Sequence, residues 1–188
     1  MLASIFLAQV VLPAAVTAEL GHFQPAQPED FTAAIRTHAA AHPSLQMTRG
    51  LIAEDLNGDG KPDYAVLAVD RKTREFRFVF AVSAGDGYAI KETRKYRGAF
   101  EQKGGIVYTV LGFKPAGQDL WASRLYSPLA AGTPERAAFV AAPALALWRS
   151  IGLDPYGRPD DYEVETLSYC SDVYYWVGGQ PRAFMVCH

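Results

Sequence analysis

The hydrophobic spacing of this chain changes once, and that change limits the folds open to it. Phe31, Ala34, Ile35, His38, Ala39 and His42 fall on one stripe of an α-helix. Pro28 suits the first helical position, Glu29 and Asp30 favour the positive end of the helix dipole, and Pro43 ends the run. From Gly50 onward the period is two. Leu51–Glu54 and Tyr64–Val69 read as short strands on either side of an acidic loop. Phe76, Phe78, Phe80 and Val82 alternate with Arg77, Val79 and Ala81, a strand with one aromatic face. Ala84-Gly85-Asp86-Gly87 is turn chemistry leading to Tyr88–Thr93, so the spacing predicts a hairpin. Gly104-Gly105 precedes a further strand at Ile106–Phe113; Lys114–Asp119 reads as a loop and Leu120–Tyr126 as a strand. A helix followed by many antiparallel strands predicts an α+β fold, with the N-terminal helix packed on an antiparallel sheet of several hairpins.

The stretch 127–161 is harder to read. Ala137–Ser150 is apolar enough for a buried helix, but Pro143 divides it into two shorter pieces. Residues 153–161 form a Pro/Gly/Asp loop, and Tyr162–Trp176 with Arg182–Val186 makes a last hairpin. A chain of 188 residues that is 49% apolar and 20% charged has the balance of one ordinary globular domain. Eighteen basic against twenty acidic residues give a net charge of −2, which offers no electrostatic footprint for nucleic acid.

Residues 1–18 carry no charged side chain, and the apolar run Leu2–Leu12 has the length of a secretory leader's core, too short to span a bilayer. Val16-Thr17-Ala18 puts small residues where a leader peptidase reads them. The expectation is a signal peptide over 1–18, a mature domain over 19–188 without a membrane span, and a periplasmic or secreted location.

The strongest chemical signal is Asp55-Leu56-Asn57-Gly58-Asp59-Gly60-Lys61-Pro62-Asp63. Oxygen side chains at the first, third, fifth and ninth places around a glycine suit a hard cation, and Ca2+ takes six to eight oxygens. The candidate ligands are Asp55, Asn57, Asp59, the backbone carbonyl of Lys61, and Asp63. Val66 stands where an EF-hand has its bidentate glutamate, so this is not an EF-hand. The loop resembles the calcium loops of integrin-like and bacterial propeller repeats of the FG-GAP and VCBS type, which run D-x-N-x-D-G-x-x-D into a strand. That resemblance covers about a dozen residues, and a propeller needs several copies where this chain has one. Gly157-Arg158-Pro159-Asp160 echoes the end of the loop, but Gly152 and Tyr156 replace its carboxylates. The chain is also similar to small bacterial exported proteins with one such loop and a closing Tyr-Tyr-Trp hairpin, a likeness that implies no activity. The competing reading is a metal-free turn built on Asx side chains.

A two-residue turn centred on Gly178-Gly179 pairs Val177 with Gln180, Trp176 with Pro181 and Cys170 with Cys187. In that register Pro181 lies at a position needing no N–H, and the cysteines face each other within reach of a disulfide. The expectation is a Cys170–Cys187 bridge in an oxidising compartment. His38 and His42 lie one turn apart but lack the glutamate of a zinc-protease helix, since Ala39 follows His38. Tyr169, Tyr174, Tyr175 and Trp176 offer either a contact surface or core. No nucleophile elbow, phosphate loop or dinucleotide fingerprint appears. The residues therefore point to an exported, non-enzymatic binding module with one structural calcium site and an envelope or extracellular macromolecule as partner. The alternative is an envelope hydrolase using acids among Asp160, Asp161 and Glu163, with Glu165 nearby.

Overall fold

The computed structural model describes residues 11–99, 101–121, 128–148 and 170–187. Helix α1 (Ala14–Leu20) and the two-residue strand β1 (Gln24–Pro25) come first. The expected cleavage point after Ala18 falls inside α1.

The next helix is shorter than the stripe predicts. α2 spans Ala33–Ala41, while Pro28–Asp30 forms a 3-10 turn. Tertiary bonds set that boundary. The Asp30 carbonyl accepts from the N–H groups of Ile106 and Val107, and Thr32 N–H donates to the Val107 carbonyl. The chain is thus extended where the stripe expected helix. Phe31 and Ile35 are fully buried, His38 and Ala39 are half-buried, and Ala34 and His42 are exposed.

The period-two stretches form two antiparallel sheets, so the chain has mixed α+β architecture. In the first, β1 and β2 (Leu51–Glu54) pair end to end along one edge of β3 (Asp63–Asp70), followed by β4 (Glu75–Ala84) and β5 (Gly87–Arg97). Phe80 faces Glu92 but Ala81 faces Ile90, so Lys91 is an extra residue bulged from β5. The second sheet runs β6 (Val110–Lys114), β7 (Ala144–Trp148), β8 (Cys170–Val177), β9 (Gln180–Cys187).

Alternation along the strands builds the layers. Leu67, Val69, Phe76, Phe78, Phe80 and Val82 on the inner face of the first sheet share one cluster with Leu111, Leu145, Leu147 and Trp176 of the second. Phe76, Phe78 and Phe80 are at most 1% exposed. Each such burial contributes roughly 1.5–3 kcal/mol. The outer face of the second sheet, with Ala144, Ala146, Val173 and Tyr175, packs on Phe139 of helix α3 (Pro134–Ala141). The outer face of the first, with Tyr64, Val66, Ala68, Val79 and Ala81, packs on Val16 and Leu20 of α1 and on Phe23. The order of layers is helix, sheet, sheet, helix.

Where a buried helix in two pieces was expected, Pro143 separates α3 from a strand. Ala144 and Ala146 face one way and Leu145 and Leu147 the other, so both faces of β7 are covered. Of the expected strand at 120–126, Leu120 and Trp121 lie in a turn, and 122–126 lie outside the described residues.

Polar ties cross these layers. Lys114, fully buried at the end of β6, donates to the carbonyls of Phe139 (3.1 Å), Val140 (3.4 Å) and Ala142 at the C-terminus of α3, and of Pro115 (3.3 Å). Its ammonium lies 4.6 Å from the Phe139 ring centroid. Between the sheets, Arg94 of β5 donates to Asp172 (2.7 Å) and to the Tyr174 hydroxyl (3.2 Å) of β8, and also to Glu92. The Tyr174 hydroxyl donates in turn to Glu92, and burial together with that bond pushes its pKa up.

Candidate metal centre

The acidic loop connects β2 to β3. Gly58 and Gly60 have φ of +82° and +81°, a conformation that side chains rarely adopt, and they let the chain double back over Asp55. Leu56, 2% exposed, anchors the loop in the core.

Each acidic side chain is held by N–H groups. Asp55 Oδ1 accepts from Gly58 (2.7 Å) and Asp59 (3.2 Å), and its Oδ2 accepts from Gly60 (2.8 Å). Asn57 Oδ1 accepts from Asp59 N–H (3.0 Å), and Asp59 Oδ1 accepts from Lys61 N–H (2.9 Å). These are nested Asx turns. Asp63 is fully buried. Its Oδ2 accepts from Leu56 (2.8 Å) and Asn57 (3.2 Å), and its Oδ1 from Ser83 N–H on β4 (2.7 Å). Burial raises the Asp63 pKa against the opposing pull of these three bonds.

Ser83 is the functional neighbour that sequence reasoning missed. Its hydroxyl donates to Asp59 Oδ2 (2.5 Å) and accepts from Asn57 Nδ2 (3.0 Å). The Ser83 bond, then the Lys61 N–H, hold the Asp59 carboxyl below its ordinary pKa. Lys61 Nζ reaches the Gly85 carbonyl at 2.7 Å. The loop is therefore stapled to the end of the β4–β5 hairpin. Nothing in the spacing of the sequence marks a serine two dozen residues downstream.

The donors Asp55, Asn57, Asp59, the Lys61 carbonyl and Asp63 are all hard oxygens, which fits Ca2+ in chemistry. The ion pairs of the described residues include none to Asp55, Asp59 or Asp63. Among the described residues no three His, Cys, Asp or Glu side chains converge into a metal cage. The loop N–H groups supply the positive partners that the carboxylates require. Asp63 is already engaged in tying three backbone donors together, with one lone pair on Oδ1 left over.

Beside the loop lies an apolar groove of about 320 Å3. One wall is Leu56, Asn57 and Gly58; the others come from Ala138 and Ala141 of α3 and from Val177 at the β8–β9 turn.

Cys170 and Cys187 are Cα partners in the β8–β9 ladder, in the register read from Gly178-Gly179 and Pro181; their side chains lie outside the described residues. The His38 and His42 rings lie against each other at a tilt of 40°, with centroids 4.4 Å apart. Trp176 packs in the central core, with Tyr174 against it, and Tyr175 packs under α3, so these rings serve the core. Tyr169, the echo at 157–160, and Asp160, Asp161, Glu163 and Glu165 lie outside the described residues. Compared with known proteins, the chain matches no family model, no curated protein and no solved structure.

Proposed function

We propose that this chain is an exported protein, periplasmic or secreted, that holds one structural Ca2+ in the Asp55–Asp63 loop. Its task is non-enzymatic binding of an envelope or extracellular macromolecule. In this reading the chain is a single domain whose helix near the N-terminus rests on the antiparallel sheets. The loop belongs with the FG-GAP and VCBS type, present here in one copy. Ca2+ would be held by Asp55, Asn57, Asp59, the Lys61 carbonyl and Asp63.

The observation that carries this reading is the pairing of donors with position. Three carboxylates that enter no ion pair among the described residues sit in a loop that forms one wall of an apolar groove. A cation there neutralises their mutual repulsion and stiffens Asn57 and Gly58 against the groove. The chemistry it supplies is charge neutralisation and cross-linking of the loop. The protein's own groups do the rest: Asp63 and Ser83 fix the loop to β4, and Leu56 anchors it in the core.

The test is the melting temperature of the full chain in EDTA, Mg2+ and Ca2+, beside Asp59→Ala. At a hundredfold excess over Kd, a ligand binding only the folded state adds about 2.7 kcal/mol. That corresponds to a rise of roughly 5–10 °C in a chain of this size. Mg2+ should act weakly because it demands short octahedral bonds. A wild-type melting temperature unmoved by millimolar Ca2+ refutes the calcium reading and leaves the loop as a metal-free staple.

A further inference from the structure

The outer face of the first sheet does not have the composition of a face left to water. An antiparallel sheet open on one side alternates apolar with polar residues. Here the outward residues are Tyr64, Val66 and Ala68 on β3 and Val79 and Ala81 on β4, all at most 7% exposed. β3 is buried on both sides along nearly its whole length. Such a pattern requires a permanent cover.

That cover is the segment just before and across the expected leader cleavage point. Val16, Leu20 and Phe23 are 0%, 3% and 2% exposed, and Leu12 packs against the same cluster. Polar contacts fix the segment in place. Arg77 of β4 donates to the Glu19 carbonyl and lies 4.9 Å from the Phe23 ring centroid, and Thr93 of β5 donates to Glu19 Oε1 at 2.9 Å. Pro13 opens the helix, its carbonyl accepting from Thr17 N–H at 2.9 Å and from the Thr17 hydroxyl at 3.2 Å. Pro13 is also where the apolar run Leu2–Leu12 stops.

We infer that the segment from Leu12 to Phe23 is a permanent strap on the outer face of the first sheet, and that the peptide bond after Ala18 is not a processing site. Removal of 1–18 would delete Ala14–Ala18 from a helix that spans Ala14–Leu20, together with the Pro13 carbonyl that starts it. The cluster over Val66, Ala68, Val79 and Ala81 would then lose Leu12 and Val16 and keep only Leu20 and Phe23 of the strap. Signal peptidase acts on an extended chain, so burial in the folded state does not shield the bond. The product lacking 1–18 has instead lost a structural element. The leader and the fold meet at Pro13, and any removable part ends before Leu12. The inference rests on the export reading only for the existence of a processing event.

The experiment has two arms on the full chain. In the first, the protein is expressed with its own N-terminus, the cell is fractionated, and the exported species is identified by intact mass and N-terminal sequencing. The expected product begins at or before Leu12; a product beginning at Glu19 overturns the inference. A chain that stays in the cytosol with Met1 intact refutes export instead, and the strap is then judged by the second arm. There, Val16→Thr keeps the shape but buries a hydroxyl, and Val16→Ala removes two methyl groups. Each should lower the melting temperature by roughly 3–8 °C. Two variants that melt with wild type overturn the inference, whatever the location of the protein.

Discussion

Replacing Asp63 by Asn changes one oxygen to an NH2 group in a site that is fully buried and surrounded by donors. The wild-type carboxylate accepts three backbone N–H bonds, two on Oδ2 and one on Oδ1. The amide oxygen can keep the Leu56 and Asn57 pair, but its NH2 group then meets the Ser83 N–H donor to donor. One charge-assisted bond is lost, and two donors are left without acceptors. An unsatisfied buried polar group costs about 1–3 kcal/mol. Against this, the variant no longer buries a charge, and burial is what raises the Asp63 pKa. The balance is a loss of about 2–3 kcal/mol, or roughly 4–12 °C. The assay is a thermal melt followed by circular dichroism in EDTA, so that no cation contributes. Asp55→Asn, half-buried and bonded to the N–H groups of exposed Gly58, Asp59 and Gly60, should lose less than about 1 kcal/mol in the same buffer. If Asp63→Asn melts within about 1 °C of wild type, Asp63 is not the staple between the loop and β4.

Lys114→Met should lose roughly 2–4 kcal/mol, since four carbonyls around Nζ lose their donor. Burial pushes the Lys114 amine down to about 8, with Asp119 opposing. The unfolded chain therefore holds more protons between pH 8 and the ordinary lysine value. Wild-type stability measured against Lys114→Met should rise across that interval by on the order of 1–2 kcal/mol; a flat difference refutes the depressed pKa. The Cys170–Cys187 pair should oxidise to a bridge closing an 18-residue loop, seen as an intact mass lighter by two hydrogens than the reduced protein. The bridge should stabilise by about 3 kcal/mol, and two freely alkylated thiols in protein purified without reductant would exclude it. Gly105→Ala places a Cβ 2.3 Å from the Phe31 carbonyl oxygen and 2.6 Å from Thr32 N, backbone that cannot yield. It should cost more than about 2 kcal/mol in urea denaturation, whereas Gly87→Ala, which meets nothing within 4 Å, should stay within about 0.5 kcal/mol.

Local rules carried the hairpins. Strict alternation bounded by glycine turns placed β2 to β5, and Gly178-Gly179 with Pro181 set every pairing of β8 with β9. They failed where distant groups decided the outcome. The start of α2 was displaced because Asp30 is bound to Ile106 and Val107 across the fold. The alanine-rich stretch around Pro143 fits helix and buried strand equally, and only the position of β7 between two covered faces resolves it. At α1 an apolar leader and a buried apolar helix look alike in one dimension, and spacing alone does not choose between them. Of the loop, the glycines and the donor types were legible. The inward turn of Asp63 and the role of Ser83 depend on the β4–β5 hairpin returning to the loop.

The Arg94 network bears on alignment more than on depth of stability. Apolar faces attract without direction, so two sheets in contact through phenylalanine and leucine have several sliding positions of similar energy. Arg94, Glu92, Asp172 and Tyr174 are satisfied together in one of them. A slip of one residue pair would separate these half-buried charges from their partners. The network thus acts as a dowel between two boards that the core holds together like glue. Without it, the chain would be expected to keep its secondary structure while losing a single fixed offset between the halves.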